Sequence, residues 1–499
     1  MTQRRSESFH LLEAPVDAIQ RAYKAGELSA RDLVQLYLNR IRAYDSDGPK
    51  INSIITIHPD GLEEADRLDA AFRAAGPVGP LHGVPVILKD QIDARGTPTT
   101  LGSVLLKDYF PDRDAFVVEK LKKAGAIILA KATLGELGGG DTHGTLFGST
   151  RNPYALDRTV GGSSGGPGAA ISANFGAVAV GQEGFASIRR PSGWNSIVGM
   201  RPTAGLVSRS GVLGGWPGIA GSLGPMARTV RDLTVLLDVL VGYDPEDPLT
   251  ALGVGHAPDG YLSFLDKGGL EGARIGVLRE PMGRGSEPES EDFRKVSQVF
   301  ERAVGELAKA GAALVDPIEI PRLNQLLAKR SAGDHGGAEA AWKVYAGRSA
   351  KPPFRSFKEL LDTPGYSPQG SIRQSTGGPD YEHLLAREEL MITVLKVMAD
   401  FELDAIVHKT VEHQPTLIRD GVNPPYVNTK GAPHLNTFLV YVPSISVPAG
   451  FTSDELPVGL TFLGRPYSDG TMLKFAYAYE QATLHRSPPS TAPPAPGEP

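Results

Sequence analysis

The 499-residue chain contains no cysteine. Disulfides, a thiol nucleophile and cysteine-ligated zinc or iron–sulfur sites are therefore excluded. Long apolar runs are also missing. The longest, such as Ala126–Ala130 and Ala177–Gly181, have strand length, whereas a membrane-spanning helix needs about 18 apolar residues in a row. Positive charge is not in excess: 51 Lys and Arg stand against 57 Asp and Glu, a net charge of −6. Neither nucleic acid nor a membrane surface is an expected partner. The first residues, MTQRRSESFHLLEAP, carry Arg4–Arg5 but no apolar h-region. No secretory leader is expected, and the cytoplasm is the expected compartment.

Several chemical signatures are absent too. No P-loop and no dinucleotide fingerprint is matched, and H-E-x-x-H does not occur. His408 and His413 lie five apart, which is off the spacing for two ligands on one helix face. Neither a metal nor another cofactor is expected. What the chain has is ample core material, 41% hydrophobic against 22% charged, and many backbone-shaped loops, with 59 glycines and 40 prolines.

Periodicity predicts helices over 14–28, from an N-cap at Ser29 onward, and over 60–75. LHGVPVILKD (81–90) alternates as a strand that ends in Lys89. AFVVEKLKKAGAIILAK (115–131) reads as a helix closed by Gly125, then a buried strand. Further strands are expected at 177–183, 273–280 and 313–320, and in AIVH, SISVPAG and VGLTFLG. Further helices are expected at 230–243, 289–311, 384–401 and 471–483. This alternation predicts an α/β fold with a mixed or parallel sheet. The expected layout is an N-terminal helical segment (1–75) packed on a catalytic domain (76–486). Residues 331–382 are expected to form an irregular substrate rim, and the proline-rich 487–499 a flexible tail.

Three places could carry chemistry. Lys89 follows an apolar run and either snorkels to solvent or sits in a dry site; in the dry site its amine is neutral and accepts a proton. GGSSGGPG (161–168) surrounds Ser163 and Ser164 with glycines that permit close backbone approach, or it is a flexible turn. GQEGFASIRRP places Ser187 after a strand. The backbone N–H groups of Gly184, Phe185, Ala186 and Ser187 could there form an oxyanion nest, or the segment is an ordinary strand exit.

In this order, GVPVILKD, GGSSGGPGAA and then S-I-R-R-P twenty-four residues after Ser163 resemble the amidase signature family. GSTRNPYALDRTVGGSSGGPGAA (148–170), SIVGMRPTAGLVSRSGV (196–212) and VPSISVPAG…LPVGLTFLGRPYSDGTML (442–473) look like that family too, so the resemblance runs over most of the chain. It implies the amidase signature fold: one large α/β domain with a central mixed sheet surrounded by helices. It also implies a Ser–Ser–Lys triad. Ser187 would be the nucleophile, Ser163 the bridging serine on a cis peptide bond after Gly162, and Lys89 the neutral base. Ser164, Glu183 and Arg189 would support them. The chain departs from the family where many members read G-T-D-x-G-G-S and this one reads G-Q-E-G-F-A-S (181–187). Phe185 and Ala186 replace two glycines, so Phe185 either packs under the loop or lines the acyl site. Gln91 stands where asparagine is frequent.

For the substrate, LVSRSGVLGGWPGIAGS (206–222) suggests a mobile loop whose Arg209 and Trp216 cover the entrance, or a static one. Gly138, Gly139 and Gly140 leave room for a flat or long molecule, or are a plain turn. No basic cluster is visible along the chain, so an apolar or aromatic small-molecule amide or carbamate is expected. This version of the motif with a W-P-G loop is similar to branches that cleave aryl amides and carbamates, urethanases included, and such a hydrolase is expected as monomer or homodimer. Two other functions stay open: the glutaminase subunit of a tRNA-dependent amidotransferase, and a non-catalytic scaffold.

Overall fold

A computed structural model describes residues 9–330, 337–364 and 381–499. An eleven-stranded sheet runs through it. The strands are β1 Ile54–Ile57, β2 Pro85–Lys89, β3 Ile127–Ala132, β4 Val178–Glu183, β5 Val198–Arg201, β6 Ser222–Ala227, β7 Arg274–Leu278, β8 Ala313–Ile318, β9 Ala405–Lys409, β10 Ser444–Phe451 and β11 Pro457–Leu463. Their order is β1-β3-β2-β4-β6-β5-β10-β11-β9-β7-β8. Pairing is parallel for β3-β2-β4 and for β9-β7-β8, and antiparallel elsewhere. The sheet is therefore mixed, and it is continuous from one edge to the other. The expected strands are all present. Three strands go beyond those expected: the central β5 and β6, and the edge strand β1, which lies within the N-terminal segment expected to be helical. β1 has only four residues, too few for alternation to reveal it.

Helices cover the sheet because their apolar stripes need a partner surface. Val16–Ala25 buries Val16, Ile19 and Ala22, and Ala30–Arg40 starts at Ser29 in a capping box with Asp32. Glu291–Lys309 buries Phe293, Val296, Val299 and Phe300 on one face. Gly165–Ser172 is different: all eight of its residues are buried. Glycine makes that approach possible, since a Cβ on Gly166 would lie 2.3 Å from the Thr133 carbonyl oxygen.

Two expectations fail here. The 331–382 segment is not irregular where it is described: Gly337–Ala346 and Phe357–Asp362 are helices, and 331–336 and 365–380 lie outside the described residues. Its scattered aromatics form a satellite core, with Trp342 and Tyr345 packed beside Phe357, Leu101 and Leu137. Residues 487–499 are not a loose tail either. The guanidinium of Arg40 is buried against them, donating to Glu498 Oε2 at 2.7 Å and to the Pro493 and Ala492 carbonyls at 3.1 and 2.7 Å. Proline-rich composition removes helix and sheet partners but leaves carbonyl acceptors, which a buried cation can collect.

Candidate active site

β2 and β4 are parallel neighbours, and their C-terminal ends present Lys89 and Gln182–Glu183 side by side. Lys89 is completely buried. Its Nζ donates to Ser163 Oγ at 2.6 Å and to the Gln182 carbonyl at 3.4 Å. Burial pushes the amine well below the usual lysine range, and the charge of Glu183 only partly opposes this. A second lysine on the next strand is a useful contrast. Lys131 is equally buried, but it faces Asp90 at 3.5 Å and donates to Thr99 Oγ1 and the Pro98 carbonyl at 2.8 Å. Lys131 is placed as a cation; Lys89 is placed against a neutral hydroxyl.

Ser163 follows a cis peptide bond from Gly162. A Cβ on Gly162 would come within 2.3 Å of the Gly140 carbonyl oxygen, so only glycine fits there. Ser164 Oγ bridges the Gln182 backbone, accepting from its N–H and donating to its carbonyl at 3.1 Å each. Ser164 N–H donates to the Ser187 carbonyl at 3.0 Å. The serine-rich turn and the Ser187 loop are thus stitched together through backbone. Ser187 makes no side-chain hydrogen bond among the described residues. It lines a cavity of about 210 Å³ together with Gly138, Gly139, Gly140, Gly184 and Phe185. The four backbone N–H groups of Gly184–Ser187 have no protein acceptor among the described residues.

Glu183 shapes this loop. Its Oε2 accepts the N–H of Ile188 and Arg189 at 2.8 and 2.9 Å, and its Oε1 accepts Arg189 Nε at 2.8 Å. Arg189 Nη2 continues to the Phe185 carbonyl at 3.0 Å. Asn436 supplies a further donor to Glu183 at 3.1 Å. A second buried pair was not legible in sequence. Arg190 meets Asp141 at 2.6 Å and donates to the carbonyls of Gly162 and Gly140, tying both glycine turns to the helix that follows Ser187, Arg189–Trp194, the nucleophile helix. Its signal was the doubled arginine in S-I-R-R-P, a costly burial unless each cation is paired.

Other expected residues are placed differently. Arg209 is buried and turned inward. Its Nε and Nη2 meet Asp247 at 3.0 and 2.9 Å, and its Nη1 donates to the Gly218 carbonyl at 2.7 Å. Arg209 and Trp216 line a cavity of their own beside Arg113 and Tyr345, not the one containing Ser187. Phe185 does line the Ser187 cavity, and the absence of a basic cluster does not hold there, because Arg284 and Arg330 reach it from distant segments. Gln91 is buried next to Gly138 and donates to the Leu213 carbonyl at 3.4 Å.

One constellation imitates a different hydrolase. Ser286, His413 and Asp292 are aligned, with His413 Nδ1 to Asp292 at 2.8 Å and Nε2 to Ser286 Oγ at 3.4 Å. However, Nε2 already accepts the Glu287 N–H at 2.9 Å, and Ser286 donates its proton to Glu412. His413 is therefore not placed as the base of that serine.

Comparison with known proteins places the chain in a family. A family model described as Amidase matches residues 32–473. The chain belongs to the amidase family. This amidase is 33% identical to one component of the glutamyl-tRNA(Gln) amidotransferase of Thermoanaerobacter pseudethanolicus, with 96% of this chain and 98% of the relative covered. It is equally 33% identical to the peptide amidase of Stenotrophomonas maltophilia, whose structure superposes with a TM-score of 0.86 over 96% of this chain and 99% of that one. A bacterial aryl acylamidase, 24% identical, shares the fold at a TM-score of 0.75 over 95% and 96% of the two chains. The mixed-sheet architecture is that of the amidase signature enzymes.

Proposed function

We propose that this amidase hydrolyses the C–N bond of aryl amides and carbamates through an acyl-enzyme on Ser187. Lys89 is the base and Ser163 the relay. Ser187 Oγ attacks the substrate carbonyl carbon. Its proton passes to Ser163 Oγ, whose own proton moves to Lys89 Nζ. The oxyanion that forms accepts the unpartnered N–H groups of Gly184–Ser187. Lys89, now charged, returns the proton through Ser163 to the leaving nitrogen as the C–N bond breaks. A water then enters by the same relay, releases the carboxylic acid or, from a carbamate, the carbonic acid monoester that decays to carbon dioxide and the alcohol, and regenerates Ser187. The observation that carries this reading is the 2.6 Å contact of a buried, carboxylate-free amine with Ser163 beside a cavity-facing serine. In the unliganded site Ser187 must still turn onto Ser163, a closure ordinary for catalytic hydrogen bonds.

The substrate wall follows from what is missing on it. Gly138–Gly140 present backbone alone, and Phe185 supplies the aromatic ring among the lining residues, so a flat aryl group fits. The purified chain by itself is expected to hydrolyse acyl p-nitroanilides and alkyl N-(4-nitrophenyl)carbamates, both read as nitroaniline release. Ser187→Ala is expected to lose this while melting within a few degrees of the parent. A fully active Ser187→Ala protein refutes the assignment.

The amidotransferase relative supports a second reading, a glutaminase component of a larger complex. Under it, the chain alone would leave p-nitroanilides intact and release ammonia from glutamine only with added partner proteins.

A further inference from the structure

The Ser187 cavity holds more positive charge than its own chemistry needs. Arg330 lies with Cζ 4.3 Å above the ring of Phe185, and Phe185 in turn meets the edge of His434 at 5.7 Å. Neither Arg330 nor Arg284, the second arginine on this wall, has an ion pair or a side-chain hydrogen bond among the described residues. Arg190, by contrast, is neutralised by Asp141. Burial and the nearby Arg284 push the Arg330 guanidinium down to about 10, which leaves it charged at neutral pH. Burial and the same two arginines push His434 down to about 4, so that ring is neutral and adds no compensating or further charge. The hydroxyls of Thr429 and Thr437 on the same wall are also buried without a partner among the described residues.

Two like charges and two orphaned hydroxyls on one cavity wall form a set of donors that an anion would complete. The buried arginines of this protein have found their acceptors: Arg40, Arg189, Arg190, Arg201 and Arg209 are all held by carboxylates or carbonyls. The Arg330 fork, among the described residues, stays open while stacked on a ring that belongs to the nucleophile loop. Guanidinium is suited to this position, because it stacks by one face and keeps its in-plane donors free for a carboxylate.

Resting on the acyl-enzyme reading above, we infer that Arg330 and Arg284 form an anion subsite and select amide or carbamate substrates that bear a carboxylate near the scissile carbonyl. The chemistry is added to the aryl preference and does not replace it. The carboxylate would bind the Arg330 fork, with Arg284 as a second positive neighbour and the threonine hydroxyls as neutral donors. It takes no part in the bond-breaking step; it positions the carbonyl over Ser187.

The test uses paired substrates of matched shape on the full chain. Glutaryl p-nitroanilide is compared with pentanoyl p-nitroanilide, and 4-(butyrylamino)benzoate with butyranilide, so the carboxylate is placed once on the acyl side and once on the amine side. In at least one pair the kcat/KM ratio of charged to neutral substrate is expected to be about tenfold or more, most of it in KM, and to shrink as salt is added. Arg330→Gln should bring that ratio to about one, and Arg330→Lys should retain part of it, because charge persists without the fork. Arg284→Gln, an exposed position, should lower the ratio in the same direction. A ratio at or below one in both pairs overturns the subsite. So does a high ratio that both glutamine variants leave unchanged. If neutral substrates are cleaved in a Ser187-dependent way under either result, the hydrolase assignment stands without the subsite. If the parent protein cleaves none of the four, both assignments fall.

Discussion

Lys89→Met is expected to fold, to melt at or above the parent temperature, and to lose about a thousandfold or more in kcat/KM. Both halves follow from the same burial. The amine is wholly enclosed and has one hydroxyl and one long carbonyl contact to offset its lost hydration. Methionine fills nearly the same volume with no such cost, so stability is unchanged or gains. Catalysis loses its proton acceptor, since Glu183 is committed to Arg189 and three other donors. Lys131→Met is the control. That amine is paired, so its removal strands Asp90 and Asp93, the latter already pushed up to about 6 by burial. It should destabilise the protein by about 3–5 kcal/mol. Thermal melts and steady-state rates on the two variants therefore separate a base from a structural cation.

The second large effect is expected at Glu183. Replacement by alanine strands a fully buried Arg189 and frees the N–H groups of Ile188 and Arg189 at the start of the nucleophile helix. A loss of about 3–5 kcal/mol is expected by urea unfolding, the range found when one partner of a buried ion pair is removed. Activity should fall further than stability explains. Through Arg189 Nη2 the same carboxylate fixes the Phe185 carbonyl, and with it the loop that presents the oxyanion donors. Glu183→Asp keeps the charge and should recover part of both losses. If Glu183→Ala unfolds normally but still hydrolyses at the parent rate, the loop is held by something else.

Which parts of this molecule were legible in sequence depends on how far apart the interacting residues lie. The capping box at Ser29 and Asp32 sits within one turn, and strands such as β2 and β4 carry their own pattern, so these were readable from local spacing. Lys89, Ser163 and Ser187 were identified by family resemblance, and the structure puts them around one turn and one loop. Pairings across the fold left no local mark. Arg209 looks like an exposed loop cation until Asp247 is seen beside it, thirty-eight residues on. Arg284 and Arg330 belong to different segments and become a cluster only at the cavity. The tail reads as solvent-loving proline sequence until Arg40 collects its carbonyls from more than four hundred residues away. Short helices between 337 and 362 were missed because aromatics packing on a satellite core need not repeat at helical spacing.

The central claim is that the amine at position 89 works uncharged, and the pH dependence of kcat/KM on a neutral p-nitroanilide tests it most directly. The folded pKa of Lys89 is held below its ordinary 10.5 by burial. The account takes the amine as uncharged in the resting enzyme, so activity is lost only as pH falls through that lowered value. The account predicts a plateau through neutral and mildly alkaline pH with an acid limb well below the usual lysine range, and the disappearance of that limb in the residual activity of Lys89→Met. A rate that climbs about tenfold per pH unit from neutrality toward the ordinary lysine value would show that the amine is charged in the resting enzyme, and would contradict it.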